Sequence, residues 1–162
     1  MSDTTYVLCL KNDAGWACAY RDEPHRQECI HLSAPHIYAS ALTALDLNSK
    51  RIGSFLNVGS GTGYFSALVS SWIGHYHEHY GIEAQESVVQ HAHESLARWN
   101  DDHHIQVFHG NAFDVEVMAG VGRFGMDRIY IGAAVGREDI AHFASLLKKG
   151  GVLVCPGKCS NQ

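Results

Sequence analysis

The stretch that most constrains this chain is residues 54–64, SFLNVGSGTGY. A short apolar run, Phe55-Leu56-Asn57-Val58, leads directly into Gly59-Ser60-Gly61-Thr62-Gly63. A helical pattern follows, with Phe65, Leu68, Val69, Trp72 and Ile73 on one stripe. Strand, glycine turn and helix in that order bring backbone N–H groups close to a nucleotide-like ligand in an open α/β sheet. The helix N-terminus adds partial positive charge at the same place.

The chain around this turn is expected to alternate strands and helices. Tyr6–Leu10 and Trp16–Tyr20 flank an Asn-Asp-Ala-Gly loop and read as a hairpin. Arg21–Cys29 is polar, contains Pro24 and reads as irregular. Ser33 before Ala34-Pro35 predicts a helix start with Ser33 as N-cap, and Ile37, Ala41, Leu42 and Leu45 supply its apolar stripe. Tyr80-Gly81-Ile82 reads as a short strand ending at Glu83, and Gln85–Asn100 as a helix with Val88, Val89, Ala92 and Leu96 on one face. Strands are expected at Ile105–Phe108, Met126–Ile131 and Val152–Cys155, with a helix over Glu138–Lys149 stopped by Gly150-Gly151. Alternation of this kind predicts an α/β fold, a mostly parallel sheet with helices on both faces.

With 162 residues the chain is most simply one folded unit, here 20–162, preceded by the 1–19 hairpin extension. Its net charge of −5 argues against nonspecific nucleic-acid binding, which runs on clustered Lys and Arg. No apolar run approaches the roughly 20 residues that span a bilayer, and Met1–Gly15 lacks a signal peptide's basic and apolar regions. Five cysteines without a framework spacing read as reduced thiols, so the expected setting is cytoplasmic, with neither nucleic acid nor membrane as partner. His75, His77 and His79 alternate, and Cys155 and Cys159 stand close, but neither set makes a convincing metal site, and none is expected.

Two features bear on the ligand. A dinucleotide fingerprint wants G-x-G-x-x-G, whereas here the third glycine, Gly63, comes one residue early and Tyr64 stands in the glycine's place. G-x-G-x-G after an apolar strand is the usual arrangement in S-adenosylmethionine-dependent methyltransferases. Glu83 falls about 20 residues beyond the turn, where an acid accepts hydrogen bonds from ribose hydroxyls. NAD and S-adenosylmethionine share that ribose, so Glu83 alone does not choose between them. Asn111, just past the Ile105–Phe108 strand, would lie near an adenine ring, although a Gly-Asn pair is also a common turn.

Leu32-Ser33-Ala34-Pro35-His36-Ile37 together with Leu56–Tyr64 closely resembles the protein-L-isoaspartate (D-aspartate) O-methyltransferases. Gly81-Ile82-Glu83, Gly110-Asn111-Ala112, Asp127–Ala134, Leu147–Gly151 and, upstream, Tyr20-Arg21-Asp22-Glu23-Pro24 continue the likeness in order. The resemblance implies a Rossmann-like methyltransferase sheet and S-adenosyl-L-methionine as cofactor, with S-adenosyl-L-homocysteine as product. It also implies methyl transfer to L-isoaspartyl and D-aspartyl carboxylates in damaged proteins or peptides, a repair activity. Ser33 is then the active-site residue, with His36 beside the substrate. Ile30, His31, Leu32, Ser33 and Tyr38 line the cofactor pocket. Gly59, Ser60, Gly61, Thr62 and Gly63 form the turn, Glu83 takes the ribose, and Asn111-Ala112 lies beside the adenine.

The chain also departs from that family. The acid common in the central strand is Asn57, the acid beside the adenine is Asn111, and a second histidine after the motif is Tyr38. The family's N-terminal helices and last two strands have no counterpart here, as in a divergent or truncated member. The departures keep a second reading open, a noncatalytic methyltransferase-like adaptor within a larger protein. Without two further strands Val152–Cys155 would form a hydrophobic sheet edge, to be covered by the Tyr6–Tyr20 hairpin, a second chain or another part of a longer one.

Overall fold

The computed structural model describes residues 21–27, 29–48, 52–74, 78–99, 104–119, 121 and 125–155. The Tyr6–Tyr20 hairpin, the 1–19 extension, His75, His77 and Cys159 lie outside these residues. The elements run β1 (His25–Gln27), β2 (Ile30–Leu32), α1 (Pro35–Ala44), β3 (Ser54–Val58), α2 (Tyr64–Ile73), β4 (Glu78–Glu83) and α3 (Glu86–Trp99). They continue with β5 (Ile105–His109), α4 (Val115–Ala119), β6 (Met126–Ile131), α5 (Arg137–Ala144) and β7 (Leu147–Val154).

Five strands form one sheet in the order β5-β4-β3-β6-β7, and every neighbouring pair is parallel. β3 lies at the centre with all of its residues buried, as a strand covered on both faces must. Successive side chains leave a strand on opposite faces, and the core divides accordingly. Leu56, Val58, Ile82, Ile129 and Ile131 pack with Phe143 of α5, whereas Phe55 and Tyr130 face Ala41 of α1 and Phe65 and Val69 of α2. α3 joins the second layer through Val89, Ala92 and Leu96, against Ala67 and Val107. Chain order turns around between β3 and β6, so a crevice opens beyond the carboxyl ends of those two strands.

Two polar ties hold the frame. Arg128 of β6 is buried, yet among the described residues its guanidinium meets carbonyls and no carboxylate. It donates to the carbonyls of Leu45, of Asp46 at 3.0 Å and of Asp127 at 2.8 Å, fastening β6 to the turn after α1. Next to it on β6, Asp127 Oδ2 accepts from the Gly53 N–H at 2.8 Å, Ser54 Oγ at 3.1 Å and Lys148 Nζ at 3.0 Å. Burial pushes the Asp127 carboxyl up, but the bonds from Gly53, Lys148 and Ser54 outweigh it and leave it below its ordinary value.

Several local expectations are corrected. The predicted Glu138–Lys149 helix ends at Ala144, and residues 147–151 belong to β7. Leu147 pairs with Met126 and Val152 with Arg128, so the residues between them bulge out of the ladder. Gly150 makes that bulge with φ +83°, and Lys148 is drawn across to Asp127. Ser33 does not cap α1; Ala34 is the N-cap residue, without a side-chain cap bond, and the Ser33 N–H donates instead to the Tyr38 hydroxyl. The segment read as irregular contains β1, which pairs antiparallel with β2. On α2, Trp72 is 60% exposed, while Ser66 and Ser70 take buried positions through hydrogen bonds with Asn57 and His104.

Candidate active site

The glycine turn closes on the end of β4. The N–H groups of Gly59 and Ser60 both donate to the Ile82 carbonyl, at 2.9 and 3.0 Å. Gly59 has φ +71°, and a Cβ there would stand 2.7 Å from the Ala133 Cβ beyond β6, so only glycine fits. Gly61 also has positive φ, but a Cβ on it would meet nothing nearer than the His31 carbonyl at 3.8 Å. One glycine is therefore required by packing, and the other leaves open space over the crevice.

Glu83 ties the turn to α3. One carboxylate oxygen accepts the Gly61 N–H at 3.0 Å, and the other accepts the Gln85 N–H at 3.1 Å. Both oxygens retain a lone pair, since an ionised carboxylate offers about four acceptor sites. Asn111 uses its side-chain oxygen on the Phe113 N–H at 3.1 Å, which leaves its amide hydrogens for another partner.

The crevice is a cleft of about 370 Å³ between the ends of β3, β4, β5 and β6. It is lined by His31, Gly59, Gly61, Glu83, Asn111 and Ala112 among the expected residues. Gly132-Ala133-Ala134, Gln85, Phe113 and Phe143 also line it, and sequence reasoning did not assign them to the site. The signal for Gly132–Ala134 was present: they follow the strand across the switch point from the glycine turn. Phe113 and Phe143 had no such signal, because their convergence, with ring centres 5.2 Å apart, depends on how the segment after β5 meets α5.

A second, smaller chamber of about 50 Å³ adjoins the cleft and shares His31, Gly59, Gly61 and Gly132 with it. Ser33, Tyr38, Ser60 and Thr62 line this chamber together with Asn57, Tyr64 and Tyr130. The His31 imidazole and the Tyr38 and Tyr130 phenols are each shifted towards the uncharged form. Burial lowers the His31 imidazole, helped by the Arg26 charge. Burial raises the phenols of Tyr38 and Tyr130, opposed at Tyr38 by hydrogen bonds from Ser33 and reinforced at Tyr130 by Tyr38. Asn57 donates to Ser66 Oγ at 3.0 Å, whereas its side-chain oxygen and the Ser60 hydroxyl are buried without a hydrogen-bond partner among the described residues.

Ile30, Leu32, Gly63 and His36 line neither cavity. Gly63 caps α2, and His36 stands more than half exposed at the start of α1. There the Asp22 carboxylate accepts from the His36 N–H and contacts Nδ1, both at 2.9 Å. Those bonds, the backbone one foremost, hold the Asp22 carboxyl below its ordinary value. Among the described residues, no cluster of three or more His, Cys, Asp or Glu side chains is arranged to hold a metal ion.

Residues 12–162 match the model of the protein-L-isoaspartate(D-aspartate) O-methyltransferase family. The chain is 31% identical over 137 residues to a Dictyostelium discoideum protein described as a probable protein-L-isoaspartate O-methyltransferase, covering 80% of this chain and 41% of that one. A Caenorhabditis elegans protein-L-isoaspartate O-methyltransferase is 30% identical over 122 residues, with 71% and 52% of the two chains covered. The chain thus spans about half the length of the curated relatives it matches. Its fold matches, at TM-score 0.71 and 21% identity, a Plasmodium falciparum crystal structure described as a protein-L-isoaspartate O-methyltransferase in complex with S-adenosyl-L-homocysteine. That match covers 90% of this chain and 71% of the other. The family model matches nearly the whole chain, and the chain belongs to the protein-L-isoaspartate (D-aspartate) O-methyltransferase family.

Proposed function

We propose that the protein containing this chain binds S-adenosyl-L-methionine in the large cleft and transfers its methyl group to the carboxylate of isoaspartyl residues in damaged proteins. The observation that carries the reading is the pairing of two cavities that share one glycine turn, one faced by Glu83 and the other by Ser33. The residues fit the cofactor. Gly61 leaves room for a close approach to backbone, Glu83 keeps lone pairs for two ribose hydroxyls, and Asn111 keeps amide donors for a purine.

When bound, the cofactor supplies an electrophilic sulfonium methyl. A carboxylate nucleophile, with a reference pKa of about 4, is already ionised at neutral pH, so the site has no need of a strong base. What the chain contributes is alignment and exclusion of water. Ser33 supplies a hydroxyl that can orient the acceptor carboxylate. His31, Tyr38 and Tyr130 are each shifted towards the uncharged form, which works against a fixed charge competing with it. Cys29 and Cys155 are free thiols, which supports a cytosolic setting.

The test is transfer of labelled methyl from S-adenosylmethionine to an isoaspartyl peptide, with the aspartyl peptide as control. Transfer to the isoaspartyl form alone supports the reading. Binding of S-adenosylhomocysteine by calorimetry without transfer to either peptide overturns it in favour of a noncatalytic adaptor.

A further inference from the structure

Tyr38 differs from the other walls of the small chamber because it holds another wall in place. Its phenol oxygen accepts the Ser33 N–H at 2.9 Å across five residues of chain. Ser33 stands between the end of β2 and the start of α1 and gains no cap role there, so this bond to Tyr38 is what fixes its backbone. The ring that carries the hydroxyl is itself clamped. It stacks on Phe65 with centres 5.5 Å apart and meets the edge of Tyr64 at 5.4 Å. Phe65 in turn packs on Tyr130 at 4.3 Å, tying the arrangement to β6 and the sheet.

We infer that Tyr38 is the positioning residue of the site: its hydroxyl fixes the Ser33 backbone, and through it the placing of the Ser33 hydroxyl, while the cofactor cleft is formed without it. The second half follows from placement, since Tyr38 lines the small chamber and not the large cleft. The inference deepens the proposed function by dividing the labour between the cavities, with Tyr38 acting through Ser33 on the acceptor alone. Accepting the Ser33 N–H leaves the phenol its own proton to give. The buried Asn57 side-chain oxygen and the Ser60 hydroxyl belong to the same chamber. The chamber thus pairs fixed hydroxyl donors with an acceptor awaiting a donor, as a peptide group flanking the reacting carboxylate would supply.

The variant is Tyr38→Phe in the full-length chain, which removes the hydroxyl and keeps the ring contacts. The expected result has three parts. The Ser33 amide exchanges with solvent at least about tenfold faster, the loss expected for one hydrogen bond, while the α1 amides keep their protection. Transfer to an isoaspartyl peptide falls about tenfold in kcat/KM, mainly in kcat. The dissociation constant for S-adenosylhomocysteine stays within about twofold of the parent. Unchanged Ser33 exchange overturns the inference. So does a uniform loss of protection along α1, which marks a folding role, and so does a parallel loss of S-adenosylhomocysteine binding, which makes Tyr38 a wall of the cofactor site. If the parent protein transfers no methyl to the peptide, the proposed function fails by itself, and amide exchange and S-adenosylhomocysteine binding still decide the role of Tyr38.

Discussion

Gly59 carries the heaviest constraint on any one backbone position in the site. Replacing it with alanine forces a side chain into the left-handed region and into the Ala133 backbone nitrogen at 2.8 Å. We expect Gly59→Ala to cost about 1–3 kcal/mol of stability, read as a lower urea midpoint, and to abolish S-adenosylhomocysteine binding. Glu83 and Ser33 separate differently. Glu83→Ala removes an acceptor from both Gly61 and Gln85, so calorimetry should show S-adenosylhomocysteine affinity falling about tenfold or more. Ser33→Ala should leave that affinity within about twofold while labelled-methyl transfer to the isoaspartyl peptide drops about tenfold, the scale of one lost hydrogen bond.

Among the elements, β6 is tied by Arg128 to carbonyls 83 and 82 residues back along the chain. Arg128 satisfies three carbonyls with one buried fork, which a lysine cannot reproduce because its ammonium is a compact point charge. Arg128→Lys should therefore destabilise the protein by about 2–4 kcal/mol, measured by chemical denaturation, through carbonyls left without a donor. Elements whose identity rests on their own periodicity were legible in the sequence. The stripe Val88, Val89, Ala92 and Leu96 is the buried face of α3, and Met126–Ile131 is β6 as predicted. Elements decided by distant partners were not. Leu147-Lys148-Lys149 reads as the end of a helix until Asp127 takes Lys148, and Ser33 reads as a cap until Tyr38 takes its N–H. α4 is too short for its five residues to show a period, and the β1 strand HRQ has no apolar alternation to betray it.

For the whole molecule, the parallel sheet joins residues far apart in the chain, and Asp127 of β6 ties β3 and β7 to its own strand at one corner. Gly53 and Ser54 meet it at separations of 74 and 73 residues, and Lys148 at 21. Its carboxyl titrates below the ordinary value in the folded protein, so its stabilising contribution is complete above about pH 4 and is lost as pH falls through the folded value. Asp127→Asn should accordingly be less stable than the parent at pH 7, and the difference should shrink as urea titrations are moved towards pH 3. The site is legible in the same uneven way. The turn and Glu83 are local in sequence and were placed together, whereas the cleft wall built by Phe113 and Phe143 exists only once α5 packs on the sheet.

The Glu83 clamp also determines how heat is exchanged when a ligand enters. Gly61 and Gln85 are already bonded to the carboxylate, so the turn is set before binding and does not have to fold around the guest. The heat-capacity change should then be small and negative, reflecting apolar surface lost within the cleft alone. Glu83→Ala frees the turn, and its residual binding should carry a larger negative heat-capacity change and a greater entropic penalty, because ordering the loop becomes part of the reaction.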